Sequence, residues 1–146
     1  MAAHIAGPLY WERHGSSGHP MLFVHPNPMD HTCWLYQLAH LSTWFRTVGV
    51  DLPGYGRSPR AEVGVSMDDV ALACWDALDQ SAGEPAILVG LSVGGEVIRR
   101  MAHQRPEHTL ALIIAGHGYR PVRANMAAPA VSRSRIGSAA ASGRRR

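Results

Sequence analysis

Ala86-Ile-Leu-Val-Gly-Leu-Ser-Val-Gly-Gly-Glu-Val-Ile98 is the stretch that decides the fold. Ala86 to Val89 is a short apolar run of the kind a buried strand shows, and Gly90 bounds it. Beyond it, Val97, Ile98, Met101 and Ala102 recur at helical spacing, and this helix must end near Arg105 because Pro106 follows. The connection is Gly90-Leu-Ser-Val-Gly94, the pattern G-x-S-x-G between a strand and a helix. So sharp a turn brings the chain close to itself, so the positions two before and two after Ser92 can carry little or no side chain. Gly90 and Gly94 meet that demand, and Gly95 adds room. Ser92 then stands at a helix N-terminus, where free amides and the helix dipole favour negative charge.

The same alternation extends outward in both directions. Leu9 to Arg13 reads as an early strand, and Met21-Leu-Phe-Val24 as a short buried one. Trp34, Leu35, Leu38 and Leu41 mark a helix with Asp30 as its N-cap, and Phe45 to Val50 is the next strand. Met67 to about Gln80 is the clearest helix. Ser66 and Asp69 form a capping box at its start, Met67, Val70, Ala71, Cys74 and Leu78 share one face, and Gly83 and Pro85 end it. Leu110 to Ala115 is one more buried strand. Strands alternating with helices imply an α/β protein with a mostly parallel sheet.

Two further loops follow strands. In Val24-His-Pro-Asn-Pro28, Pro26 lacks an amide proton and Asn27 has one, so the Asn27 and Val93 N–H groups are candidate partners in an oxyanion hole, with His25 orienting the loop. Open α/β sheets bind ligands at the C-terminal ends of their strands, where both loops lie. A His-Pro turn without a chemical role is the plain alternative. Asp51-Leu-Pro-Gly-Tyr-Gly-Arg-Ser58 reads as architectural, a tight loop with Asp51 and Arg57 paired across it.

Composition narrows the classes. All fourteen basic residues are Arg, and residues 124–146 hold five of them and no acid, so residues 1–123 carry nine against eleven acids. The folded part is mildly acidic, and the basic character belongs to a tail rich in Ala, Ser and Arg that is expected to be disordered. Five Arg without interleaved aromatics are a weak case for nucleic-acid binding. No apolar run is long enough to span a bilayer, and the N-terminus lacks a secretory pattern. Cys33 and Cys74 suit buried thiols of a cytoplasmic protein. The nine histidines show no ligand spacing beside an acid or Cys, so no metal and no cofactor are expected.

H-P-N-P, D-L-P-G-Y-G-R-S and G-L-S-V-G-G, in this order, resemble the first half of the α/β-hydrolase fold family, over about Leu9 to Ile114. Pro26 departs from the family's usual H-G-x-P. The resemblance implies a doubly wound, mostly parallel sheet with helices on both faces, here C-terminally incomplete. It implies Ser92 as nucleophile, Asn27 and Val93 as backbone oxyanion donors, and a small-molecule carboxylic ester or lactone as substrate. A Ser at 92 argues against the epoxide hydrolase and haloalkane dehalogenase branches, which use Asp there. The family places an acid and then a histidine after the serine. Here the only later acids are Glu96 and Glu107, and the later histidines are His103, His108 and His117. Glu96, Glu107, His103 and His108 lie within or at the far end of the helix after Ser92. His117 alone follows a strand at the catalytic end, and the family's base comes two strands later. The acid-free tail from Ala124 is the kind of sequence that out-of-frame reading of GC-rich DNA gives, so a chain ended early by frameshift, premature stop or alternative transcript is expected. Activity is then impaired, the last strand, Leu110 to Ala115, lacks neighbours and exposes an apolar edge that predicts poor solubility, and the alternative is a non-catalytic remnant or partner-binding protein on the same fold. Oligomeric state is left open.

Overall fold

The computed structural model describes residues 7–81 and 85–116. Five strands form one sheet: β1 (Trp11–His14), β2 (Pro20–Val24), β3 (Arg46–Val50), β4 (Ala86–Leu91) and β5 (Thr109–Ala115). Their order is β1-β3-β2-β4-β5, with β1 antiparallel to β3 and every other pair parallel. The helices are α1 (Leu35–Leu41), entered through a 3-10 turn at His31–Trp34, α2 (Met67–Ser81) and α3 (Val93–Gln104).

Side chains alternate across the sheet as a pleated strand requires. Leu22 and Val24 of β2 join Val48, Val50 and Leu88 against α2 and α3, with Val70, Ala71, Cys74, Leu78, Val97, Ile98 and Met101. Met21, Phe23 and Val89 face the other way and meet Leu38 of α1. The sheet is therefore doubly wound, with its central strand wholly buried. Trp75, absent from the sequence reading, is the largest fully buried side chain, and its indole N–H donates to the Met101 carbonyl at 3.0 Å, tying α2 to α3.

The capping box forms in both directions: the Ser66 amide donates to Asp69 Oδ2 at 2.9 Å, and the Asp69 amide to Ser66 Oγ at 3.2 Å. Asp30 caps the 3-10 turn ahead of α1 rather than α1 itself. β4 runs through Gly90 to Leu91, two residues beyond the apolar run, because Gly90 and Leu91 still pair with Ile114 and Ala115.

The apolar run of β5 is only partly buried, with the open edge expected of a last strand without a further neighbour: Leu110, Leu112, Ile113 and Ile114 are 39–50% exposed. It pairs with β4 along one edge, and no described strand pairs with the other. Gly83, His117 and the 124–146 tail lie outside the described residues.

Candidate active site

Three loops leave the sheet side by side. Val24 pairs with Val50 on one flank and with Gly90 on the other, so the loops after β3, β2 and β4 start level with one another.

The β4 loop is the tightest. Ser92 has φ 53° and ψ −117°, and it is the only non-glycine residue with positive φ among those described. Such backbone is costly for a side chain and persists only where the surroundings enforce it. They do so here by contact. A Cβ on Gly90 would stand 2.4 Å from the Gly94 carbonyl oxygen, and a Cβ on Gly94 2.2 Å from the Val24 carbonyl oxygen and 2.9 Å from that of His25. These are main-chain atoms that cannot swing aside. The Ser92 amide donates to Ala115 O at 3.0 Å and its carbonyl accepts from Gly95 N at 2.9 Å, which fixes the turn between β5 and α3. Ser92 itself is exposed. Val93 is the first residue of α3, so its N–H belongs to the unsatisfied set at a helix N-terminus.

His25 governs the β2 loop. It is fully buried, its Nε2 accepts the Leu52 N–H at 2.8 Å, and its Nδ1–H donates to the Pro26 carbonyl at 2.9 Å. An imidazole accepting a backbone N–H is neutral, and burial pushes its pKa down. One side chain thus spans the β2 and β3 loops and sets the backbone just before Asn27. The Pro26 carbonyl also accepts the Met29 N–H at 3.0 Å, closing the turn. Asn27 is exposed, and its N–H makes no hydrogen bond among the described residues.

The β3 loop wraps a buried carboxylate. Asp51 Oδ1 accepts from the His31 amide at 2.8 Å and from His31 Nδ1 at 2.7 Å, and Oδ2 accepts the Arg57 amide at 2.9 Å. The expected pairing of Asp51 with Arg57 thus runs through the Arg57 main chain and not its guanidinium. Gly56, at φ +52°, passes so near that a Cβ there would lie 2.1 Å from Asp51 Oδ2, leaving only main chain to approach. The Arg57 guanidinium turns instead to the Tyr10 hydroxyl and to Glu12, 3.7 Å away. His31 Nε2 lies 3.3 Å from Glu12 Oε2, so a carboxylate–imidazole–carboxylate chain crosses from β1 to the β3 loop. Sequence reasoning missed His31: it lies twenty positions from Asp51, and no period links them.

Asp30, His31 and Asp51 also bring possible metal-ligating atoms within 4.8 Å of one another. Both Asp51 oxygens accept hydrogen bonds, and Asp30 Oδ1 accepts from the Thr32 amide at 2.9 Å. Of the late acids and histidines, Glu96 is engaged by Arg99 and Arg100 along α3, and Glu107 lies 3.8 Å from His108 beyond that helix. A cleft of about 440 Å³ opens between the β2 and β3 loops, walled by Pro28, Met29, Asp30, Thr32, Cys33 and Tyr55. Burial lifts the Cys33 thiol to about 11 and the Cys74 thiol to about 12, so neither is a ready nucleophile.

A sequence model of the α/β-hydrolase fold matches residues 19–131. The chain belongs to the α/β-hydrolase fold family. It is 37% identical over 99 residues to an AB hydrolase superfamily protein of Bacillus subtilis strain 168, covering 66% of this chain and 37% of that one. It is 34% identical over 105 residues to a pimeloyl-[acyl-carrier protein] methyl ester esterase of Pectobacterium carotovorum, covering 72% and 39%. A solved structure of Est816, described as an N-acyl homoserine lactone degrading enzyme, superposes with TM-score 0.71 at 25% identity, over 75% of this chain and 42% of that one. This α/β-hydrolase chain therefore spans about two fifths of the length of these relatives. No described helix is long and apolar enough to cross a membrane.

Proposed function

We propose that this α/β-hydrolase chain carries the nucleophile and oxyanion half of a carboxylic ester or lactone hydrolase, with Ser92 as nucleophile. The observation that carries the reading is the positive φ of Ser92 on a turn closed by Gly90 and Gly94 at the start of α3. Names of relatives that act on a methyl ester and on an acyl lactone support the substrate class.

In this reading the Ser92 oxygen attacks the substrate carbonyl carbon and its proton passes to a general base. The carbonyl oxygen becomes an oxyanion, held by the Asn27 and Val93 N–H groups, with His25 as the positioning residue for the first. Collapse expels the alcohol, which takes the proton from the base, and leaves Ser92 acylated. Water then releases the acid by the same steps in reverse roles. Among the described residues, Glu96 is held by Arg99 and Arg100 and Glu107 lies beside His108 past α3, so in this reading the described part does not by itself complete a catalytic triad and its activity is impaired. The protein is soluble and cytoplasmic in this reading, and it binds neither nucleic acid nor membrane.

A fluorophosphonate probe tests this. The expected result is Ser92-dependent labelling that is lost in Ser92→Ala and runs about a thousandfold or more slower than for an intact relative. Labelling unaffected by Ser92→Ala overturns the nucleophile. A folded chain with no labelling at any exposure favours the second reading, a non-catalytic partner-binding protein on the same fold.

A further inference from the structure

The cleft between the β2 and β3 loops has a chemical bias that the hydrolytic reading leaves unused. It begins at Pro28, next to the candidate donor Asn27, and its volume suits a small organic group. Its lining side chains include one charged group, the Asp30 carboxylate, and no Lys or Arg. Thr32 holds Asp30 Oδ1 through its amide and its hydroxyl, while Oδ2 has no hydrogen bond among the described residues. Those two Thr32 bonds hold the Asp30 carboxyl below the usual carboxylate range, so it is ionised at neutral pH. The buried Asp51 lies close behind it, with His31 Nδ1 turned to Asp51.

The other walls suit alkylated cations. Tyr55 presents an aromatic ring, held edge-to-face by His25 at 5.6 Å between centroids. Met29 and Pro28 are exposed and apolar, and the Cys33 thiol is neutral. Of the nearby guanidinium groups, Arg57 is drawn to Glu12 and Tyr10. The stem of Arg60 packs beside Gly54, its Cγ 3.8 Å from where a Cβ would stand there. A carboxylate beside an aromatic ring and apolar contacts is the arrangement that binds ammonium groups. The same carboxylate repels anions.

We propose that this cleft is a subsite for an ammonium-bearing group, with Asp30 as the counter-charge and Tyr55 as the aromatic wall. It rests on the ester and lactone reading only in making that group part of the substrate. The cleft thereby selects cationic over neutral substrates, and neutral over anionic ones.

The test is a titration of the full chain at low salt, followed by backbone amide NMR shifts. The probes are choline, its neutral carbon isostere 3,3-dimethylbutan-1-ol, and the anion 3,3-dimethylbutanoate. Choline is expected to shift the Asp30, Thr32, Cys33 and Tyr55 amides and to bind about tenfold tighter than the isostere. The anion is expected to leave those amides unmoved. Asp30→Asn keeps a capping side chain and is expected to hold the wild-type melt while lowering choline to the affinity of the isostere. Ser92→Ala is expected to leave every affinity unchanged, so the outcome separates from that of the nucleophile. Equal affinities, no binding, preference for the anion, or a cation preference that survives Asp30→Asn overturns the proposal.

Discussion

β4 and β5 are neighbours of nearly the same composition, AILVGL against TLALIIA, and they pair in parallel register. Leu88 is fully buried, whereas its partner Leu112 is 39% exposed. The difference lies in the neighbours. Among the described residues, β4 has a strand on each side and packs on α3 and, through Val89, on Leu38 of α1, whereas β5 has one strand and part of α3. Apolar character supplies the drive for burial, and topology decides whether the drive is met. The functional consequence follows the same line. Around β4 the chain holds Ser92 in strained backbone with main-chain contacts, while the side of β5 away from β4 offers an apolar edge of the kind that recruits other strands.

Five variants break or sharpen this contrast. Gly94→Ala is expected to be the most damaging, because its Cβ would stand 2.2 Å from a main-chain oxygen of the neighbouring strand. A loss of about 3 kcal/mol or more, read by urea unfolding, is expected; a wild-type midpoint would show that the loops are not seated by this contact. Next, Leu88→Ala is expected to cost about 2–5 kcal/mol and Leu112→Ala under about 1 kcal/mol. Similar losses at the two sites would remove the distinction between the strands.

A smaller effect depends on pH. Burial depresses the His25 pKa in the fold, so the unfolded chain takes up the proton first. The stability due to neutral His25 is present above about pH 6.5, its ordinary value, and is lost as pH falls through the folded pKa. Melting temperatures between pH 7 and 5 should fall more steeply for wild type than for His25→Gln, and equal slopes would contradict a neutral, bond-sharing His25. Last, Ile113→Lys on β5 is expected to change stability by less than about 0.5 kcal/mol while lowering self-association in light scattering. Unchanged scattering would mean that this edge does not drive association.

Much of the fold was legible because the signals were local. Gly90 against Gly94, the Ser66–Asp69 capping box and Pro106 each act within a few residues, whereas the contact that Gly94 makes with the Val24 carbonyl appears only in the packed sheet. The exposed edge of β5 was read from its place as the last strand and not from its composition, because an apolar run carries no record of how many neighbours it will have. The Asp51–Arg57 pairing was legible in the loop, but sequence proximity did not show that Gly56 closes over the carboxylate and leaves it to the Arg57 amide. His31, Glu12 and Trp75 were invisible for a related reason: their partners are distant in the chain, and only the packed loops bring them together.

The most direct test of the account adds the part of a relative that lies beyond the matched span. Residues 1–116 would be joined to the C-terminal remainder of the Bacillus subtilis relative, and fluorophosphonate labelling followed beside the chain alone. The account predicts that the folded hybrid labels at Ser92 at least about a hundredfold faster than the chain alone, and that Ser92→Ala abolishes the signal. A folded hybrid that labels no faster, or one whose labelling survives Ser92→Ala, would contradict the assignment of this elbow as the nucleophile half of a hydrolase site.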